Sequence, residues 1–243
     1  VIDVQNPLLS KLSAFATLTN SERASLGRFD RPRRCFEIGT DLMREGEKNS
    51  TAYILLDGWV LSYKLLRSGE RQIVDFQVPG DFLGLRSLLL RTADHSIEPV
   101  TPIIAVEIGM TDLLRIFRES PRLAAAMLWA LSTDGAVVVE RLVSLGRRDA
   151  IERVAHFFLE LGARLKVVGL ATGDGYACPL SQYHLADALG LSAVHINRVL
   201  RQLREEELMT FRAGKVTFDN FDKLVQIAQF DTAYMDHGGA ARE

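Results

Sequence analysis

Only two cysteines, Cys35 and Cys178, occur among the 243 residues of this chain. Two thiols cannot build a disulfide framework, and they fall short of the four thiolates of a structural zinc site or an iron–sulfur cluster. Long hydrophobic runs are also missing. The longest purely apolar stretch, Leu123 to Leu131, is about half of what a membrane span needs, so no membrane partner is expected. No basic stretch followed by an apolar core and a small-residue cleavage site stands at the start of the sequence, which begins at Val1, so a mature-form or clipped start stays open. Charge of one sign is scarce: 29 Lys and Arg stand against 31 Asp and Glu, a formal net charge of −2. Affinity for a polyanion would therefore have to come from a local basic surface. Catalytic signatures are lacking as well, with no Gly-x-Ser-x-Gly, phosphate loop, Gly-x-Gly-x-x-Gly or His-Glu-x-x-His. These absences point to a cytoplasmic protein that is not an enzyme and holds no metal.

What is present is ordinary globular material, 47% hydrophobic and 25% charged. Three regions of different periodicity follow one another. Up to about Ser25 the pattern is helical, with Leu8, Leu9, Leu12 and Phe15 recurring and Asn20-Ser21 placed to cap a Glu22–Leu26 turn. From Phe29 to Ile108, short β-branched and aromatic runs alternate with turn signals. The runs are Tyr53–Leu56, Trp59–Tyr63, Gln72–Phe76 and Ile103–Val106; the turns are Glu45-Gly46, Asp57-Gly58, Ser68-Gly69 and Pro79-Gly80-Asp81. That spacing predicts a double-stranded β-roll (jelly roll) or barrel. A metal-dependent enzyme on such a roll would need several clustered histidines, and this region has only His95.

A long helix follows, with Ser120 as N-cap and Pro121 at the first helical position. Ala124, Leu128, Leu131, Gly135, Val138, Leu142 and Leu145 recur at alternating steps of four and three. Such a repeat predicts the seam of a two-stranded coiled coil, and hence a homodimer. The competing reading is an amphipathic helix packed on its own roll. Gly146-Arg147-Arg148-Asp149 then breaks the pattern, reads as a hinge, and lets Asp149 cap a further helix.

The most informative stretch runs from Leu180 to Phe218. Ser181 caps a short helix with Leu185, Ala186 and Leu189 on one face, and Gly190 supplies the turn. Ser192 caps a second helix whose stripe Ile196, Val199, Leu200 and Leu203 falls at i, i+3, i+4 and i+7. This is a helix-turn-helix pattern. Across from the stripe lie Val194, Arg198, Arg201 and Glu205, flanked by His195 and Asn197. Between Ser192 and Arg204 stand three arginines and no carboxylate. That polarity suits insertion into a major groove: Arg198 can grip guanine O6 and N7, and Val194 can pack on a thymine methyl. Asn197 or His195 can reach a base edge, and Arg201 a phosphate. After it, Leu208–Phe211 and Val216–Phe218 flank Arg212-Ala213-Gly214-Lys215, a β-hairpin wing with two cations at its tip. Ser181, Gln182, Ser192, Arg212 and Lys215 thus complete the candidate contacts to double-stranded DNA.

The text Gly39…Glu45-Gly46, Tyr53–Val60, Gln72–Phe76, Pro79-Gly80-Asp81-Phe82-Leu83-Gly84 and the helix-turn-helix resembles the CRP/FNR family of transcription regulators over roughly residues 20 to 230. The resemblance implies an α+β chain. Its parts would be a sensor β-roll of cyclic-nucleotide-binding type with N-terminal helices (1–119), a dimerisation helix (120–146) and a winged helix-turn-helix (147–231). Residues 232–243 are expected to form a mobile tail. The resemblance also implies a homodimer on palindromic promoter sites, with RNA polymerase as a further partner. A signal in the roll would reorient the winged parts through Gly146–Asp149. The alternative from another class is a small-molecule sensor or adaptor without DNA function.

Departures from the family pattern matter. Relatives that bind cyclic AMP offer a glutamate after the Phe-x-Gly sequence and an Arg-Ser pair further on. Here Gly84 is followed by Leu85, the Arg-Ser positions fall near Ala93-Asp94, and Val138-Val139 offers no hydroxyl. No cyclic AMP response is expected. The candidate effector pocket (Gly84, Leu85, Arg86, Ser87, Asp94 and His95) would take an unknown small molecule or none. His95 and His156 are the histidines placed to ligate a haem, although a lone histidine usually has a structural role. Whether Cys35, near Arg33 and Arg34, is an oxidation switch stays open.

Overall fold

A computed structural model describes residues 6–27, 32–48, 51–90 and 92–235. Two compact units are present: Val1–Lys64 with Val74–Asp134, and Leu65–Ile73 with Gly135–Asp236.

The first unit opens with α1 (Pro7–Phe15), whose cap Asn6 accepts from the Leu8 and Leu9 N–H groups. In α2 (Asn20–Gly27) the cap lies one residue earlier than expected. Thr19 and Glu22 form a reciprocal pair, Thr19 N–H donating to Glu22 Oε2 at 2.7 Å and Glu22 N–H to Thr19 Oγ1 at 3.3 Å. The elements that follow along the chain are β1 (Arg34–Phe36), β2 (Ala52–Asp57), β3 (Val60–Leu65), β4 (Arg71–Gln77), β5 (Phe82–Leu83), α3 (Leu85–Leu90), β6 (Ser96–Pro99), β7 (Ile103–Ile108), α4 (Met110–Glu119) and α5 (Pro121–Arg147), of which the start of β4 and α5 from Gly135 onward belong to the second unit. Sheets ordered β1-β7-β2-β5 and β4-β3-β6 make the expected roll. Their inward residues, among them Leu55, Val60, Ile97 and Ile103, form one core cluster. A second cluster joins α1, α3, α4 and the start of α5 to the outer face of β2 and β7. The ammonium of Lys11 is buried between Asp81 at 2.6 Å and Asp134 at 3.1 Å, fastening α1 to the Pro79–Asp81 turn and to α5.

By composition, α5 is long and apolar enough to cross a membrane, with mean hydropathy 1.4 over its best window. The apolar residues have other tasks here. Leu123, Ala126, Met127 and Ala130 are core, while others form an exposed stripe.

The second unit adds α6 (Ala150–Val167), β8 (Ala171–Thr172), β9 (Gly175–Ala177), α7 (Gln182–Leu189), α8 (Ala193–Glu205), β10 (Met209–Arg212), β11 (Lys215–Phe218) and α9 (Phe221–Ala228). As expected, Asp149 caps α6, in a capping box with Glu152. Phe158, Leu161, Leu185, Ile196, Leu203, Val216 and Leu224 are fully enclosed. The buried Tyr176 hydroxyl donates to Phe158 O at 2.8 Å. Residues 232–235, expected to belong to a mobile tail, are packed on this unit. Thr232–Met235 is a 3-10 turn in which Met235 is buried, and Tyr234 stacks on His156 and donates to Glu160. Residues 236–243 lie outside the described residues.

Candidate nucleic-acid interface

The helix-turn-helix forms as its sequence signals require. Ser181 Oγ accepts the His184 N–H at 3.1 Å, and the Ser181 N–H donates back to His184 Nδ1 at 3.2 Å. That return bond needs a neutral imidazole, and burial, helped by Arg71, lowers the His184 pKa. Gly190 ends α7 in the left-handed region at φ 61°, with Leu145 Cδ2 only 3.3 Å from where a Cβ would sit. Ser192 Oγ then accepts the His195 N–H at 3.2 Å and starts α8. Ile196, Val199, Leu200 and Leu203 are buried, as the spacing predicts.

The opposite face is open. Val194 is 80% exposed, and Asn197, Arg198, Arg201 and Arg204 are exposed, with His195 half-buried beside them. Neither Arg198, Arg201 nor Arg204 enters an ion pair with the described residues. Asn197 Nδ2 donates to Gln182 Oε1 at 2.7 Å, joining the starts of α7 and α8. The acids Glu205, Glu206 and Glu207 are confined to the far end of the helix. Both Ser181 and Ser192 use a lone pair for capping and keep an O–H to donate outward.

β10 and β11 form the hairpin, with Arg212 directly opposite Lys215 and both exposed. Its two-residue turn has positive φ at Ala213 (51°) and Gly214 (71°), the geometry that suits a tight hairpin. Two cations therefore sit side by side at the tip. Cys178 N–H donates to Gly214 O at 2.8 Å and ties the tip back to the sheet.

One guanidinium ties this head to the end of α5. Arg153 on α6 donates to Leu189 O at the end of α7 (2.8 Å), and to Leu145 O (3.2 Å) and Arg148 O (3.0 Å) at the end of α5. One cation thus meets the carbonyl ends of two helices, where the backbone partial charge is negative. Arg141 pairs with the buried Glu160 at 3.0 Å, and Arg148 reaches back to Glu140 and Ser144. The helix break falls within the expected Gly146–Asp149 stretch, at Arg148-Asp149 between Arg147 and Ala150, and these ties span it.

The comparisons agree with this geometry. Residues 152–227 match the Crp-like helix-turn-helix domain and residues 33–120 the cyclic nucleotide-binding domain. The nitrogen fixation regulation protein FixK of Rhizobium meliloti is 30% identical over 181 residues, covering 74% of this chain and 79% of that protein. The chain belongs to the CRP/FNR family of transcription regulators. The solved structure of FixK2 from Bradyrhizobium japonicum superposes with TM-score 0.72 at 27% identity, over 81% of this chain and 96% of that one. The fumarate and nitrate reduction regulatory protein of Vibrio cholerae is 22% identical over 93% of this chain and 90% of its own. This CRP/FNR regulator is accordingly a DNA-binding protein and not an enzyme.

Two sets of candidate residues need revision in the regulator. In the α5 seam, Ala124 is 4% exposed and belongs to the core of the first unit, and Leu131 rests against the same core. Leu145 is half-buried over the Gly190 turn. Leu128, Gly135, Val138 and Leu142 are exposed, joined by Ala125, Ser132, Val139 and Val143, which the four-three reading passed over. Among the effector candidates, Leu85 is 3% exposed and packs in the helix-side core, and Ser87 is fully buried. Gly84 turns the chain at φ 69°. Arg86 is matched to Asp94 at 2.6 Å, and Asp94 also lies 2.8 Å from His95 Nδ1. A cyclic phosphate placed there would meet a carboxylate and a guanidinium already neutralised, so these residues do not fit it. Burial lowers the His95 pKa despite Asp94. His156 is buried against Phe230 and Tyr234, and burial drives its pKa down to about 4.

Cys178 is buried and its thiol is pushed up to about 12, which leaves it inert; Cys35 is exposed on β1. Among the described residues no three His, Cys, Asp or Glu side chains cluster to hold a metal.

Proposed function

We propose that this regulator acts in the cytoplasm as a homodimer on palindromic promoter DNA. Each copy lays the first half of α8 in a major groove and its wing on the adjoining phosphates. Arg198 takes a guanine, Val194 a thymine methyl, and Asn197 with His195 the neighbouring base edges. Ser181, Gln182, Ser192, Arg201, Arg212 and Lys215 hold the backbone. The observation that carries this reading is the exposed, unpaired arginine face of α8, set on a buried apolar stripe and free of carboxylate until Glu205.

The dimer seam is the exposed stripe Leu128, Gly135, Val138, Val139 and Leu142, with two α5 helices meeting along it. Steps of seven between Leu128, Gly135 and Leu142 support a coiled pair. A two-fold pair would set its recognition helices about 34 Å apart, one turn of duplex.

The roll does not respond to cyclic AMP, which the Arg86–Asp94 pair and the inward Leu85 support. It senses another small molecule or leaves the dimer permanently competent, and it carries neither an iron–sulfur cluster nor haem. Bound at a promoter, the dimer contacts RNA polymerase.

Selection of bound duplexes from a random pool, followed by titration and sedimentation, tests the reading. Two-fold symmetric sites bound by two copies are expected. Sequence-indifferent binding, or a monomer at working concentration, would overturn it. Calorimetry showing micromolar cyclic AMP binding would overturn the statement about the roll.

A further inference from the structure

We infer that Gln182 is a positioning residue that decides which base Asn197 reads, by fixing the direction of its amide. The inference rests on the proposal that α8 faces a major groove. Gln182 opens α7 and Asn197 lies in the first half of α8, fifteen residues away, and both side chains are exposed. Asn197 Nδ2 donates to Gln182 Oε1 at 2.7 Å.

A side-chain amide has two N–H donors and one carbonyl acceptor. An unrestrained asparagine can turn over and offer either edge. Here one N–H is held by Gln182, so Asn197 keeps one N–H and its carbonyl oxygen for the groove. Adenine presents an acceptor at N7 and a donor at N6, which one N–H and one carbonyl match; guanine presents acceptors at both N7 and O6. The fixed amide therefore favours adenine, and places a carbonyl against O6 when guanine is there instead. Turning the amide over to suit guanine would break the bond to Gln182. Gln182 keeps both of its own Nε2 hydrogens for a phosphate, which leaves it a backbone contact as well.

The experiment uses the full chain and a selected site, with every base pair of the half-site substituted in turn. Competition titrations compare the wild type, Asn197→Ala, Gln182→Ala, Gln182→Glu and the double variant. At the pair where Asn197→Ala flattens discrimination, the wild type should prefer adenine over guanine by about tenfold or more. Gln182→Ala should flatten the same pair and leave the discrimination at other pairs intact. Gln182→Glu retains the acceptor, so it should keep the adenine preference while binding every sequence more weakly. The double variant should discriminate no worse than Asn197→Ala alone.

The inference is overturned if Gln182→Ala weakens all four bases equally, the mark of a phosphate contact alone. It is also overturned if Gln182→Glu flattens the preference as the alanine does, because Gln182 would then be donating. A wild type without any site preference would remove the groove-facing reading itself, and is told apart because Asn197→Ala then changes nothing.

Discussion

In the first unit the charged side chains that reach inward are matched to one another, whereas on α8 they face solvent unmatched. Lys11 sits between Asp81 and Asp134, and Arg115 reaches the buried Asp112 at 3.3 Å. Arg198, Arg201 and Arg204 have no carboxylate partner among the described residues. A buried charge left alone is costly, so pairing is the condition for folding there. An exposed guanidinium carries no such cost and stays available for an outside anion or base edge. The contrast says where an external polyanion can be met.

The sharpest way to break that contrast is to remove the groove-facing cation. Arg198→Ala should lower affinity for a selected site by about ten- to a hundredfold, while scrambled duplex is bound nearly as before. Mobility shifts with both duplexes check this. On the stability scale the largest effect is expected of Arg153→Gln, which strips charged donors from three helix-end carbonyls. Urea unfolding should show a loss of about 2–4 kcal/mol.

Acid should weaken the second unit through His156. Its folded pKa, about 4, lies below the unfolded 6.5, so the unfolded chain takes up the proton first. That contribution is fully present above about pH 6.5 and is lost as pH falls towards 4, a change on the order of 1–3 kcal/mol. Denaturation midpoints from pH 7 to 5 should fall, and His156→Gln should flatten the slope. Lys215→Ala is expected to weaken binding alike for all sequences and to reduce the salt slope by about one. The smallest effect concerns the wing turn. Ala213→Gly relieves a left-handed alanine and should raise stability by a few tenths to about 1 kcal/mol, read from the thermal midpoint.

Much of the reading head was legible in the sequence because its signals are local. Ser181, Gly190, Ser192 and the Ile196–Leu203 stripe lie within about twenty residues, and each acts on its own helix or turn. The roll was legible as a class from strand and turn spacing, but α3 and α4 were not foreseen. Leu85–Leu90 is too short and too apolar for helical periodicity to stand out, and α4 is closed by an Asp112 side chain bonded to the Gly109 N–H. The α5 seam misled for a different reason. That helix is apolar on two faces, and a four-three repeat can be drawn through either. Only its burial against α1 and β2 separates Ala124 from Ala125. Bonds between distant residues, such as Gln182 to Asn197 and Arg153 to Leu189, leave no mark in the sequence.

The central claim is that α8 presents its first half to the floor of a duplex groove. Anisotropy titration of the unaltered chain at physiological salt tests it most directly, comparing a duplex selected from a random pool with a scrambled duplex of equal length. We expect the selected duplex to bind at least about a thousandfold more tightly. Equal affinity for the two, or no binding to either, would contradict it.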